Sequence, residues 1–308
     1  MNSLDRHAWS EVFGERVRFA EPLSAHTSFR IGGPADVWVE VTDALEIRRA
    51  QALAAAADLP HFVLGGGTNI LVSDRGVRGV VLHLGRALAS IEWRTNGNGL
   101  HVRAGAALPF KRLVTESVAR DLAGLEFAEG IPGTVGGGLL MNAGAFGGEI
   151  ADVVESIEGV DAHGAVQRIP RNALRFGYRH FDLPRGFVVT HLEFLLHRGD
   201  RDVIRGKLES AKRRREAHQP LGYPNAGSIF KNPPGQFAGQ LIEAVGLKGH
   251  RHGGAMISER HANFIVNAGG ATAADVRALI DEATRRVAEG QGVRLELEIK
   301  LVGDWSGS

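Results

Sequence analysis

Residues 35–41, ADVWVEV, place apolar and polar side chains in alternation, the period of a strand with one buried face. Asp43 and Glu46 then frame a capping-box-like start to an Ala-rich helix, which Pro60 ends. HFVLGGGTNILVSD (61–74) sets an apolar run on each side of three glycines, and VRGVVLHLG and LHVRAGA read as further strands. Phe110, Leu113, Val114 and Val118 recur at helical spacing. The next segment, EGIPGTVGGGLLMNAGAFGGEI (129–150), is a poor candidate for either helix or strand, because each glycine gives up more backbone freedom than any other residue. Ile131, Val135, Leu139, Leu140, Met141 and Phe146 make it too apolar for a disordered linker. A chain keeps such a segment where a flat ligand lies against bare backbone.

Beyond FGYRHFD (176–182) and the strand FVVTHLEFLLH the pattern changes. Asp200 opens a basic helix ended by Pro220, followed by the loop QPLGYPNAGSIFKNP, a helix (QFAGQLIEAVGL), a basic loop (KGHRHGG) and the strand-like HANFIVNAGG. An amphipathic helix, AADVRALIDEATRRVAEG, leads to VRLELEIKLVG, where Leu295, Leu297 and Ile299 share one face of a strand and Glu296, Glu298 and Lys300 the other. The fold class is α+β, with a Gly-rich first part to about residue 197 and a second unit over 198–292.

Composition narrows the function classes. At 308 residues, two or three packed units are expected. The 41 glycines are about twice the usual share, which points to tight turns and close backbone approaches. A formal charge of +1 lacks the basic field of a nucleic-acid binder. The absence of Cys excludes disulfides, a thiol nucleophile and Cys-ligated metal, and it fits a reducing cytoplasm. The N-terminal MNSLDRHAWSEVFGERV has no apolar signal core, and no apolar run reaches membrane-span length. A cytoplasmic protein with no membrane partner is expected, and a monomer.

Candidate chemistry lies mainly in loops. LGGGTNI fits a phosphate cradle of converging N–H groups, and equally a tight turn between paired strands; it has neither the Rossmann nor the Walker spacing. TSFRIGGPAD, with Arg30, reads alone as an ordinary turn. NAGSIFKNP (225–233) brings a hydroxyl (Ser228), an ammonium (Lys231) and an amide (Asn232) onto one loop, consistent with turn chemistry or with proton transfer beside an anionic substrate. Tyr178–Arg179 is a surface pair or a cation aimed at developing charge. Glu298 reads on pattern as part of a solvated strand face. HRHGG lacks a third ligand at metal spacing, so no metal site is expected, and KRRR (212–215) is a solvated helix face.

Taken in order, SFRIGGPA, LGGGTNILVSD, GIPGTVGGGLLMNAGAFGGEI, GYR, QPLGYPNAGSIFKNP, GAMISERHANFIVN and LELEI resemble the bacterial UDP-N-acetylenolpyruvoylglucosamine reductases, also called UDP-N-acetylmuramate dehydrogenases, from about residue 22 to 303. The resemblance implies a vanillyl-alcohol-oxidase-type fold: FAD-binding subdomains over 1–64, joined by the terminal strand 293–308, and over 65–197, with a substrate-binding domain over 198–292. It implies non-covalent FAD contacted by Arg30, by Gly65, Gly66, Gly67, Thr68, Asn69 and Ile70 around the pyrophosphate, and by Gly130, Ile131, Pro132, Gly133, Thr134, Gly136, Gly137, Asn142 and Gly144 along the flavin. It further implies that NADPH reduces the flavin. A nucleotide sugar, UDP-N-acetylglucosamine-enolpyruvate, then takes hydride at C3 and a proton at C2.

The family's proton donor falls on Ser228, and its Arg and Glu fall on Arg179 and Glu298; a protonated Glu298 would need a raised pKa from burial. Substrate binding falls on Tyr178, Lys231, Asn232 and His261. FGYRHFDLPRGFVVT has no room for the inserted Tyr-bearing loop of one subgroup, so the chain resembles the shorter, second subgroup. Two other readings use the same glycines. One is an FAD-linked oxidase of the same superfamily, the other a non-catalytic nucleotide-sugar or flavin-binding module.

Overall fold

The computed structural model describes residues 5–96 and 99–306. Its contacts divide the chain into two compact units, each assembled from separated stretches. The first comprises the residues through Phe19, Val37–Gly66 and Gly79–Arg214; the second comprises Ala20–Asp36, Gly67–Arg78 and the residues from Arg215 onward.

The first unit is built on an antiparallel sheet in the order Val166–Pro170, Val154–Val160, Val188–Arg198, Gly99–Gly105, Ile91–Asn96, with Leu122–Ala123 paired to the far end of Val188–Arg198. A four-stranded sheet runs Val17–Pro22, Pro34–Val41, Val77–Leu84, His61–Leu64, its last pair parallel. Ala35, Val37, Val39 and Val41 are buried as the alternation predicts, and Trp38 on the other face is buried too, stacked on His83 with ring centroids 4.9 Å apart. Helices α1 (Arg6–Phe13), α2 (Ala44–Ala56) and α3 (Phe110–Val118) put Trp9, Phe13, Ile47, Phe110 and Leu113 into the same core.

Asp43 does cap α2, accepting from Glu46 N at 2.8 Å. The expected reciprocal half of the box is replaced. The Glu46 carboxylate takes a two-pronged bond from Arg16, 2.5 Å on each arm, and bonds from Thr42 N and Oγ1, both 2.8 Å. The charged fork outcompetes a neutral backbone donor. It holds Glu46 at a pKa of about 2.

Segment 129–150 departs from expectation. Val135–Leu140 forms a short helix, α4, with Thr134 Oγ1 accepting from Gly137 N at 3.2 Å, and Gly144–Ala145 pairs with Gly148–Glu149. The glycines pack here instead of loosening the chain: a Cβ on Gly136 would stand 2.9 Å from Ala106 Cβ, and one on Gly138 2.9 Å from Phe110 Cε1. That close packing offsets the entropy on which the expectation rested. Helix α5 (Arg201–His218) follows, capped by Asp200, whose carboxylate accepts from Asp202 N (2.9 Å) and Val203 N (3.0 Å); Lys212, Arg213 and Arg214 are exposed on it.

The second unit has its own core, with Phe29, Leu71, Ile229, Phe230, Ile242, Val276, Leu279 and Ile299 buried together. Helix α6 (Ala238–Ala244) packs on the long α7 (Ala273–Gln291), and α7 packs on a three-stranded sheet of Arg251–His252, Ala255–Ile257 and Ile265–Asn267. The KGHRHGG stretch, read as a loop, thus contains the two-residue strand Arg251–His252, because Ala255 and Met256 supply a partner for it. Thr272 and Asp275 form the capping box of α7. Asp74 adds bonds from Ala273 N (2.8 Å) and Ala274 N (3.0 Å).

The terminal alternation is strand only over Lys300–Val302, which pairs in parallel with Ile70–Val72. Upstream of it the alternation is honoured in part: Leu295 and Ile299 are buried and Leu297 is half-buried. Among the described residues no helix is long and apolar enough to cross a membrane.

Candidate functional site

In the first unit the two glycine-rich runs meet. A Cβ on Gly66 would lie 2.6 Å from Gly133 Cα, and one on Gly65 2.6 Å from Thr134 Oγ1. Gly133 (φ +95°) and Gly130 (φ +71°) take backbone shapes that side-chain-bearing residues avoid. LGGGTNI is therefore no hairpin. His61–Leu64 pairs with Val77–Leu84, while Ile70–Val72 belongs to another sheet. Gly65, Gly66, Gly130, Ile131, Pro132, Gly133 and Gly137 stay half-buried or exposed, so the joined runs present accessible backbone. These residues fit a dinucleotide whose phosphates and flat ring need close approach to N–H groups.

Two expected cofactor residues have roles inside the fold. Asn142 is fully buried; its Nδ2 donates to Gly177 O at 3.1 Å and its Oδ1 accepts from Ala151 N at 3.0 Å. Gly144 faces Gly148 O, which a Cβ would meet at 2.6 Å. The Asn142 bond braces the hairpin Phe176–Gly177/His180–Phe181, with Tyr178 and Arg179 at its tip. Arg179 sits in the left-handed region (φ +55°), strained for a non-glycine residue, with its guanidinium 5.3 Å from the Tyr178 ring centroid. Tyr178 is exposed and Arg179 half-buried. Residues 182–187 alone separate this hairpin from the strand Val188–Arg198, as the short-loop subgroup requires.

In the second unit, Gly67 (φ +60°) packs on His26 O, and Ser28 N and Oγ both donate to its carbonyl, at 3.0 and 3.2 Å. Arg30 (φ +56°) is exposed on the turn closed by its own N–H to Thr27 O at 3.1 Å. Asn69 links this loop to the chain's end: Nδ2 donates to Glu298 O at 3.1 Å and its carbonyl accepts from Lys300 N at 3.0 Å. Thr68 is half-buried beside it, and Ile70 starts the paired strand.

Ser228 and Glu298 come together here. Glu298 N donates to Ile229 O at 2.8 Å, Lys231 N to Glu296 O at 2.8 Å, and Phe230 bridges Leu297. Both Ser228 and Glu298 are half-buried, so Glu298 is less solvated than its strand pattern suggested. Lys231 Nζ lies 3.7 Å from Glu296. Asn232 is exposed, and its Oδ1 accepts from Ala238 N at 3.0 Å, closing the loop that leads into α6. His261 accepts from Asn263 N at Nδ1 (3.2 Å), which leaves the proton of its neutral ring on Nε2. Burial lowers its pKa, and the neighbouring His218 and Lys248 push the same way. Arg179 belongs to the first unit and Ser228 and Glu298 to the second.

Sequence reading passed over Asn263. It is buried, and its signal was an amide inside the apolar run HANFIVN.

Residues 35–170 match the family described as FAD binding domain, which makes the chain a flavin-dinucleotide-binding protein. Residues 219–302 match the UDP-N-acetylenolpyruvoylglucosamine reductase C-terminal domain. A reductase of that name (number 2) from Symbiobacterium thermophilum is 48% identical over 289 residues, covering 94% of this chain and 92% of the relative. One from Heliobacterium modesticaldum is 44% identical, covering 93% and 91%. The crystal structure of the Thermus caldophilus UDP-N-acetylenolpyruvylglucosamine reductase superposes with a TM-score of 0.80 at 38% identity, covering 93% of this chain and 99% of that one. The chain belongs to the UDP-N-acetylenolpyruvoylglucosamine reductase family.

Proposed function

We propose that this protein reduces the enolpyruvyl group of UDP-N-acetylglucosamine-enolpyruvate to give UDP-N-acetylmuramate, a peptidoglycan precursor, in the cytoplasm and as a monomer. NADPH is the electron source. When bound, FAD supplies the hydride chemistry between NADPH and C3 of the substrate. The joined glycine runs around Gly66 and Gly133 hold the dinucleotide, and the family resemblance assigns Arg30, Thr68 and Asn69 to it as well.

The protein's own residues manage charge and the proton. Hydride arrival at C3 leaves electron density on C2 and on the adjoining carboxylate. Arg179, a permanent cation, and Glu298 bear on those oxygens. Ser228 Oγ gives its proton to C2: the new C2–H bond forms as the O–H bond breaks, and the alkoxide regains a proton from solvent. Lys231, Asn232, Tyr178 and the Nε2–H of His261 hold the nucleotide sugar.

The observation that carries this reading is the Glu298 N–Ile229 O bond, which ties Glu298 to the residue directly after Ser228. The test is Ser228→Ala in an anaerobic single turnover, with NADPH-reduced enzyme mixed with the enolpyruvyl substrate and flavin absorbance followed. Reoxidation about 10³-fold slower, at unchanged flavin content, is expected for loss of a general acid. Near wild-type reoxidation would remove Ser228 as proton donor.

A further inference from the structure

We infer that Asn263 is a positioning residue for the reaction, setting the Ser228 hydroxyl and the His261 imidazole as one unit; the inference rests on the role just proposed for Ser228. Asn263 is 3% exposed, and its polar groups converge on the donor loop. Its Oδ1 accepts from Phe230 N at 2.9 Å and its Nδ2 donates to Phe230 O at 2.8 Å, so one amide grips both polar groups of a single residue. Its carbonyl accepts from Ile229 N at 2.8 Å. Its N–H donates to His261 Nδ1 at 3.2 Å.

The two residues directly after Ser228 are thus held by Asn263 on one side. On the other, Glu298 N and Lys231 N dock the loop onto residues 296–298. Before Ser228, Gly227 (φ +77°) is tied by its N–H to Asn225 Oδ1 at 2.9 Å. This leaves the Ser228 Cα little freedom to move, and a hydroxyl that must reach carbon C2 tolerates little displacement. The geometry is also specific to an amide. Aspartate would keep the acceptor for Phe230 N but set a second acceptor against Phe230 O, and no other side chain offers both groups at this length. The bond to His261 Nδ1 makes the same residue select the ring form that presents Nε2–H outward.

The experiment is Asn263→Asp in the holoenzyme, with the two half-reactions measured separately by stopped flow. Leu279→Ala, in the core of the same unit on α7, serves as a control of matched destabilisation. Flavin reduction by NADPH is expected to stay within about twofold of wild type. Reoxidation by the enolpyruvyl substrate is expected to slow about 10- to 100-fold, with a larger solvent deuterium isotope effect and faster hydrogen exchange at the Phe230 amide. Leu279→Ala should show neither the isotope effect nor the split between half-reactions.

If Asn263→Asp does not fold, Asn263→Ser, which removes the grip without adding charge, carries the same measurements. Equal slowing of both half-reactions, or an isotope effect unchanged from wild type, would overturn the proposal. Ser228→Ala separates the two levels. If it slows reoxidation while Asn263→Asp and Asn263→Ser do not, the positioning role alone falls. If Ser228→Ala turns over normally, the reading beneath it falls as well.

Discussion

The Tyr178–Arg179 hairpin and the Ser228 loop are each braced by a buried asparagine, but to different degrees. Asn142 holds one carbonyl, that of Gly177, a residue before the pair, and the arginine beyond it sits in a strained left-handed conformation. Asn263 holds the N–H and C=O of one residue and the N–H of its neighbour, while residues 296–298 close the opposite side. The chemistry assigned to each explains the difference. A guanidinium stabilises charge through a field that weakens gradually with distance, whereas proton transfer requires hydrogen-bond reach. The loop with the stricter geometric demand carries the tighter brace.

Substitutions can break that comparison, and the largest effect is expected where a brace is backbone against backbone. Gly66→Val should drive a side chain into Gly133, destabilise the first unit by about 3 kcal/mol and release the flavin. Thermal melts together with flavin absorbance per protein would show it, and a stable, fully yellow variant would mean the two glycine runs need not touch. Asn142→Ala leaves Gly177 O and Ala151 N without their side-chain partner; a loss of about 2 kcal/mol is expected in urea unfolding. Its flavin reoxidation should slow less than that of Asn263→Asp, and the reverse order would invert the comparison.

Arg179→Gly sharpens it from the other side. Relief of the positive φ should raise stability by about 1 kcal/mol while reoxidation slows markedly, the signature of a residue strained for function. A variant that loses both stability and activity would show the arginine to be structural. The smallest effect concerns acid. Glu46, held at a pKa of about 2 against an ordinary 4.5, adds stability that is complete above its unfolded value and is lost as pH falls through its folded one. Half-exposure of Arg16 screens the pair. Glu46→Gln should therefore lose only about 1 kcal/mol at neutral pH, with a flatter profile between pH 4.5 and 2, read by unfolding midpoints across that range.

Much of this architecture was legible beforehand because it rests on local physics. The Asp43 and Asp200 caps, the periodicity of α3 and α7 and the strand 188–198 follow from neighbours a few residues apart. The errors fell where distant partners intervened. Phe110 and Ala106 turn a glycine run into α4, Arg16 takes Glu46 from its capping box, and Met256 and Ala255 make a strand of Arg251–His252.

From sequence alone come the α+β class, the loops that bear Ser228, Lys231, Arg179 and the glycines, and the family that their order defines. Those depend on residue type and spacing along one chain. Only the tertiary structure decided that Gly66 meets Gly133, that Ile229 O accepts from Glu298 N some seventy residues on, and that Asn142 and Asn263 turn inward to hold other loops. A buried amide reads in sequence like any turn-forming asparagine. Its meaning lies in which distant carbonyl and N–H it satisfies, and that is settled only when the chain has closed around it.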